Sequence, residues 1–158
     1  MRSTSAEVQT TVHAPIDKAF GHIVPIDLAS IFTGYGPLPA VSGTRNQTGP
    51  WDAAGQTRTV LLSDGSSAQE ALTACQFPSH FAYTVKSFTG ILRWLAKEAR
   101  GEWWFEHEPA TQGTAIRWKY EFISRSPLLE PIVCLITQWL WKGYMRQALR
   151  LSKAQVEA

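Results

Sequence analysis

The sequence predicts an α+β fold in which a seven-stranded antiparallel sheet curves around one long C-terminal helix. Three observations predict it. One strand opens the chain and is followed by two short helices, a run of about six strands joined by turns comes next, and a long helix closes the sequence. Each strand offers one apolar face, and the terminal helix supplies a surface that those faces can cover.

The strands are recognised by the alternation of apolar and polar residues, which places every second side chain on the same face of a sheet. The clearest alternation runs from Ile116 to Phe122, where Trp118 and Tyr120 share the apolar face. The predicted strands are Glu7 to His13, Val41 to Thr48, Gln56 to Leu62, Ala68 to Gln76, Phe81 to Phe88, Gly101 to His107 and Thr114 to Ile123.

The helices are predicted from their start signals. Pro15 favours the first turn of a helix from Ile16 to Ile23, and Asp27 can cap a second short helix that reaches Phe32. Ser126 and Pro127 open the long helix, which extends to about Val156. The segment Ile91 to Arg100 fits either one or two helical turns or a continuing strand.

The turn Ser63-Asp64-Gly65 sets the register of the hairpin around it. If Gly65 takes the left-handed position of a three-residue loop, Arg58 lies opposite Glu70 on one face of the sheet, where an ion pair can form. A two-residue loop would shift the register by one and separate the two side chains. The pattern leaves open whether this face lines a cavity or meets solvent.

Composition predicts one domain over residues 1–158, with 44% hydrophobic residues and a net charge of +2. This small charge, without a basic run, argues against a nucleic-acid partner. The four histidines are dispersed, so we expect no metal site, and no motif for a nucleotide or another cofactor is present. Cys75 and Cys134 lack a CxxC spacing and indicate a reducing compartment, and no signal-peptide pattern opens the sequence, so a cytoplasmic location is expected.

The order of elements, together with several short segments, resembles the START-like superfamily and its helix-grip fold. Within that superfamily it resembles the bacterial polyketide cyclase/dehydrase-like branch, often called SRPBCC proteins. The segments that carry the resemblance are APIDKAF (14–20), GQTRTVLLSDG (55–65), Glu70-Ala71-Leu72, FAYTV (81–85), Trp103-Trp104-Phe105 and GTAIRWKYEF (113–122). The resemblance implies an apolar cavity between the sheet and the terminal helix, and therefore a small hydrophobic or amphipathic ligand, lipid-like or polyketide-like. It implies no catalytic set common to all members.

Inward-facing positions give the candidate ligand-binding residues, and three functions remain open. The candidates are Arg58, Val60, Glu70, Leu72, Tyr83, Val85, Trp103, Phe105, Trp118, Tyr120, Ile136 and Trp139. The first function is the binding of a hydrophobic ligand. The second is a cyclase or dehydratase, in which Arg58 would anchor an enolate and Glu70 would act as a base. The third is an interaction module with a filled core.

The first half of the C-terminal helix is apolar on nearly every side, which gripping by the sheet alone does not explain. An apolar outer face can contact a second copy of the protein or a membrane surface. The sequence favours a homodimer, with membrane contact as the less favoured alternative. The longest apolar run, Pro131 to Leu140, is shorter than the roughly 20 residues that span a bilayer.

Overall fold

The computed structural model describes residues 3–158, and Met1 and Arg2 lie outside the described residues. Strand β1 (Ser3–Val12) is followed by helix α1 (Ile16–Ile23) and a 3-10 turn (Leu28–Ser30) that Asp27 caps. The further strands are β2 (Val41–Arg45), β3 (Thr57–Leu62), β4 (Ser67–Gln76), β5 (His80–Lys86), β6 (Ala96–Glu108) and β7 (Gly113–Ser124), with helix α2 (Leu92–Leu95) between β5 and β6.

A single continuous helix, here called the C-terminal helix (127–157), completes the fold. Its consecutive parts are a 3-10 turn (Pro127–Leu129), helix α3 (Glu130–Leu135), a π-helical segment (Ile136–Trp141) and helix α4 (Lys142–Glu157). The residues at the junctions keep helical backbone angles, so the axis is not broken. Ser126 caps the first turn by accepting a hydrogen bond from the Leu128 N–H at 3.2 Å, as its position before Pro127 predicts.

The seven strands form one antiparallel sheet in the order β1-β7-β6-β5-β4-β3-β2. The sheet curves around the C-terminal helix, which confirms the predicted fold class. Strand β1 lies at one edge, where side chains of the helix reach its outward carbonyl groups. Gln138 Nε2 donates to Ser5 O and Lys153 Nζ donates to Thr11 O, each at 2.5 Å. These bonds fasten the helix to the edge of the sheet.

The hairpin between β3 and β4 adopts the three-residue register. Gly65 has a φ of 87°, and the Leu62 N–H donates to Ser66 O at 2.9 Å. Arg58 pairs with Glu70 across the two strands, as the left-handed position of Gly65 predicts. The register prediction is therefore confirmed.

Several predicted boundaries differ from the structure: β1 begins at Ser3 instead of Glu7, and β6 begins at Ala96 instead of Gly101. Two further differences have a local reason. Strand β2 stops at Arg45 instead of Thr48 because Asn46 takes a left-handed φ of 56°. Strand β5 stops at Lys86 instead of Phe88 because Ser87 has a φ of 57°. The ambiguous segment 91–100 contains both predicted structures, with one helical turn in α2 and then the start of β6.

A tightly packed part of the core lies where α1 covers one end of the sheet. Phe20 of α1 contacts the rings of Phe105 and Phe81, with centroids 5.1 and 6.0 Å apart. Leu72 and Val12, both almost fully buried, belong to the same core. The helix α1 thus closes this end of the fold, and the opposite end is not filled.

Candidate ligand-binding cavity

A cavity of about 360 Å³ lies between the concave face of the sheet and the C-terminal helix. Its remaining walls come from the segment around Ile31 and Phe32 and from the segment 88–95. The lining is predominantly apolar and aromatic, and its volume lies in the range of about 300–1,000 Å³ that is typical of small-molecule sites. The interior is therefore not filled, which is the feature that separates a binding protein from an interaction module with a packed core.

Most of the candidate residues predicted from the sequence lie together around this cavity. Two predicted residues, Leu72 and Phe105, face inward but belong to the packed core beneath α1, so they do not reach the cavity. The candidates that do line it are Arg58, Val60, Glu70, Tyr83, Val85, Trp103, Trp118, Tyr120 and Ile136.

Trp139 is the clearest departure, because its side chain is 75% exposed and does not line the cavity. In a regular α-helix Trp139 would share a face with Ile136, three residues earlier. The π-helical segment has i→i+5 hydrogen bonds, as the bond from Lys142 N–H to Thr137 O illustrates, so Trp141 takes the place beside Ile136 instead. The prediction of Trp139 as a lining residue is therefore wrong, and Trp141 lines the cavity.

Trp141 is the most informative residue that the sequence did not indicate. Its ring lies 4.8 Å from Tyr120 and 6.1 Å from Phe32, measured between centroids. Its indole Nε1 is buried and, within residues 3–158, has no hydrogen-bond partner. Buried donors without a partner are rare in folded proteins, so this N–H is a candidate contact for a ligand.

Arg58 and Glu70 form the polar part of the cavity wall. Arg58 Nε donates to Glu70 Oε1 at 2.7 Å, and Nη2 lies 2.6 Å from the same oxygen. Both residues are buried, with 5% and 7% of their surfaces exposed. The pair thus faces the cavity, which settles the orientation that the alternating pattern left open.

Trp51 holds the guanidinium group from its other side. The Arg58 Cζ atom lies 3.9 Å from the centroid of the Trp51 ring, a cation–π geometry. Trp51 is 1% exposed and has a φ of 62°, so the turn before β3 takes a left-handed conformation that delivers this ring to the interior. Nothing in the local sequence except the preceding Gly49-Pro50 indicates such a turn.

Tyr83 lies on β5, the strand next to the one that carries Glu70, and its side chain has a fixed orientation. Its hydroxyl oxygen accepts a hydrogen bond from Trp118 Nε1 at 3.2 Å. Gly101, which pairs with Tyr83 on the next strand, leaves room for the ring, because a Cβ atom there would overlap it. The phenol is therefore held between an indole donor on β7 and a bare backbone on β6.

Burial dominates the electrostatics of these groups. It raises the pKa of Glu70 above its ordinary value of 4.5, and the neighbouring Arg58 guanidinium opposes that shift. Burial also raises the pKa of Tyr83, and the nearby Glu70 carboxyl group adds to the shift. The phenol of Tyr83 thus stays protonated near neutral pH and can act as a hydrogen-bond donor.

Two further observations concern the described residues as a whole. Within residues 3–158, no group of three or more His, Cys, Asp or Glu side chains is placed to hold a metal ion. In the same range, no helix has both the length and the hydropathy needed to cross a bilayer.

A curved antiparallel sheet that grips a C-terminal helix over an apolar cavity defines the helix-grip, START-like class of proteins. The model of the family described as "Polyketide cyclase / dehydrase and lipid transport" matches residues 3–157. The chain belongs to this family, within the START-like (SRPBCC) superfamily that the sequence resembles. No curated protein matches the chain.

Solved structures with low sequence identity share the fold. Ara h 8.0201 is 17% identical with a TM-score of 0.69, and the match covers 98% of each chain. A protein from Nitrosospira multiformis is 15% identical with a TM-score of 0.66, over 96% of this chain and 95% of that one. The di-domain ARO/CYC BexL from the BE-7585A biosynthetic pathway is 15% identical with a TM-score of 0.71, over 99% of this chain and 50% of that one.

Proposed function

We propose that the chain acts as one domain that binds a small hydrophobic or amphipathic molecule, lipid-like or polyketide-like, in the cavity. The observation that carries the proposal is the combination of an apolar cavity of about 360 Å³ with the buried pair Arg58–Glu70 in its wall. Apolar walls favour the body of such a ligand, and a few convergent polar groups fix its orientation.

The polar cluster suggests which end group the ligand carries. Glu70 already neutralises Arg58 at 2.6 Å, so a ligand carboxylate would have to displace a buried ion pair. A neutral oxygen needs no such displacement. The indole N–H of Trp141, which has no partner within residues 3–158, and the hydroxyl of Tyr83 can both donate a hydrogen bond to a carbonyl or hydroxyl oxygen. We therefore infer a neutral, oxygen-bearing end group.

The first experiment is native mass spectrometry of the protein purified from a cell extract, followed by denaturation to identify what is released. We expect one small apolar molecule per chain. The variant Ala68→Trp fills the cavity from β4 and should lose that molecule, because Ala68 is a lining residue. The matched variant Ala82→Trp, on β5 and outside the lining, should retain it.

Two results would contradict the binding function. One is bare wild-type protein that also fails to bind a neutral apolar fluorophore such as N-phenylnaphthylamine. The other is equal occupancy in Ala68→Trp and Ala82→Trp, which would place the molecule outside the cavity. Urea unfolding of both variants checks that each one is folded.

A second candidate function is a cyclase or dehydratase that uses the same cavity. The observation in its favour is a buried carboxyl group with a raised pKa beside a guanidinium group, a combination suited to proton transfer next to a developing enolate. Glu70 would accept the proton and Arg58 would stabilise the negative oxygen. Turnover of the released molecule, or of a polyketide-like analogue, should then require Glu70, and the variant Glu70→Gln should bind without turnover.

A further inference from the structure

Large apolar side chains are concentrated on the surface beside the cavity. Within residues 3–158, the exposed large apolar side chains other than Phe77 all lie on the segment 91–95 or on the first half of the C-terminal helix. Leu128 is 89% exposed, and although one exposed leucine is ordinary, a group of exposed large apolar side chains marks an interaction surface. We call this surface the mouth patch, which consists of Ile91, Trp94, Leu128, Ile132, Leu135 and Trp139.

Arg125 joins the two segments that carry the mouth patch. Its backbone N–H donates to Leu95 O at 3.0 Å, and its side-chain Nε donates to Arg93 O at 2.7 Å. Helix α2 is thereby held beside the start of the C-terminal helix. Ile91 is 79% exposed and also lines the cavity, so the patch begins at the cavity mouth.

Two exposed cationic side chains lie at the patch. Arg93 and Arg125 are both exposed, and within residues 3–158 neither forms an ion pair. The Arg93 guanidinium lies 4.7 Å from the centroid of the Trp94 ring. The carboxylates of the segments 88–100 and 124–141, Glu98 and Glu130, are half-buried, and the exposed Asp64 lines the cavity on the side of the β3–β4 hairpin.

We propose that the mouth patch docks on an anionic lipid bilayer. Its apolar side chains enter the boundary between the headgroups and the acyl chains, and Arg93 and Arg125 contact lipid phosphates. Tryptophan is favoured at this boundary because its ring is apolar and its N–H is polar. Arginine side chains near an anionic surface add electrostatic attraction.

A second copy of the chain is the competing occupant, and the observations favour the bilayer. Two copies joined face to face through this patch would bring Arg93 and Arg125 of both into one interface, where their like charges repel. A second copy would close the cavity mouth at Ile91, whereas a bilayer there leaves the cavity accessible to lipid-like molecules, an argument that rests on the proposed ligand-binding function. An anionic bilayer satisfies both the apolar and the cationic parts of the patch.

The test is co-sedimentation with vesicles of phosphatidylcholine alone and with vesicles of three parts phosphatidylcholine to one part phosphatidylglycerol. We expect binding to the mixed vesicles and much weaker binding to phosphatidylcholine alone. Trp94→Ser and Trp139→Ser should each weaken the binding about tenfold, since each removes a large inserted side chain. Phe77→Ser is the matched control, because Phe77 is 64% exposed but lies outside the patch, and it should leave the binding unchanged.

The arginines are tested separately. Arg93→Glu should weaken binding to the mixed vesicles about tenfold or more, and Arg45→Glu, an exposed position on β2, should not. Absence of binding to the mixed vesicles overturns the proposal, whether the protein is then monomeric or forms a concentration-dependent dimer in light scattering. Equal losses in Trp139→Ser and Phe77→Ser overturn it as well. Binding of N-phenylnaphthylamine without vesicles reports the cavity function independently.

Discussion

The charge of Glu70 depends on the folded structure. It lies against Arg58 inside the cavity wall, and burial raises the pKa of its carboxyl group despite the adjacent guanidinium. The folded protein therefore holds the Glu70 proton more tightly than the unfolded chain does. The Glu70 contribution to stability is full below pH 4.5, the ordinary pKa, and is lost as the pH rises through the folded-state value.

This sign gives a prediction for Glu70→Gln. As the pH is raised above about 4.5, the free energy of unfolding of the wild type should fall relative to that of the variant, because only the wild type must ionise a buried carboxyl group. Urea unfolding at a series of pH values measures the difference. The variant Glu106→Gln, an exposed position on β6, serves as the control. Its free energy of unfolding should change with pH in the same way as that of the wild type. A Glu70→Gln curve that also runs parallel would show that the carboxyl group is not desolvated.

The pairing of Arg58 with Glu70 could be predicted from sequence, whereas its environment could not. The left-handed position of Gly65 determines which residues face each other across the hairpin. Which side of the sheet is concave depends on the helix more than fifty residues later in the chain. Trp51 completes the site from a turn whose left-handed backbone has no clear sequence signal.

At the scale of elements, the contact between Tyr83 on β5 and Gly101 on β6 controls the shape of the cavity floor. A Cβ atom at position 101 would overlap the phenol ring. The ring would have to move toward the cavity, away from its hydrogen bond with Trp118. The absence of a side chain at Gly101 therefore provides the space that the Tyr83 ring occupies.

The corresponding prediction concerns Gly101→Ala. We expect a loss of about 1–3 kcal/mol in the free energy of unfolding, the usual cost of overpacking, together with weaker binding of N-phenylnaphthylamine. Gly43→Ala on β2 is the matched control, because nothing lies within 4 Å of the added methyl group. Urea unfolding and fluorescence titration measure the two effects. Equal behaviour of the two variants would mean that Tyr83 does not occupy the space above Gly101.

The C-terminal helix shows the limit of element-level prediction. Its start at Ser126-Pro127 and its length follow from capping residues and from a long apolar run. The π-helical segment Ile136–Trp141 adds one residue to a helical turn, and no residue in its sequence, ITQWLW, predicts this insertion. That single change exchanges Trp141 for Trp139 at the cavity and leaves Trp139 on the surface.

At the scale of the molecule, one end of the fold is packed and the other is hollow. Val12 belongs to the packed core and does not line the cavity, whereas Val85 does. Truncating a side chain in a packed core creates a new void, but truncation beside an existing cavity only enlarges it. The cost of a mutation should therefore depend on which half of the molecule it lies in.

We expect Val12→Ala to lower the free energy of unfolding by about 2 kcal/mol and Val85→Ala by less than about 1 kcal/mol in ligand-free protein. Saturation with N-phenylnaphthylamine should narrow this difference, because the bound molecule then packs against Val85. Thermal and urea unfolding with and without the fluorophore measure both numbers. A larger cost for Val85→Ala in the ligand-free protein would indicate that the cavity collapses around its lining.

The overall architecture could be predicted because it depends on patterns that are spread over many residues. Alternation in Thr114 to Ile123, the hairpin at Gly65 and the order of elements each support the same curved sheet. The volume of the cavity could not be predicted, because it is a difference between the space that the sheet encloses and the side chains that fill it. Phe105 and Tyr83 look alike in sequence, yet only Tyr83 reaches the cavity.

The position of β1 at the edge of the sheet has a consequence for the way the protein is made. The strands β2 to β7 pair with their neighbours in chain order, so each hairpin can form soon after it leaves the ribosome. β1 cannot pair until β7 and the C-terminal helix have been made, because Val12 pairs with Thr114 and Thr11 O accepts a hydrogen bond from Lys153 Nζ. Although β1 precedes the other six strands in the chain, it is therefore the last of them to pair, and until then its edge is open to pairing with another chain.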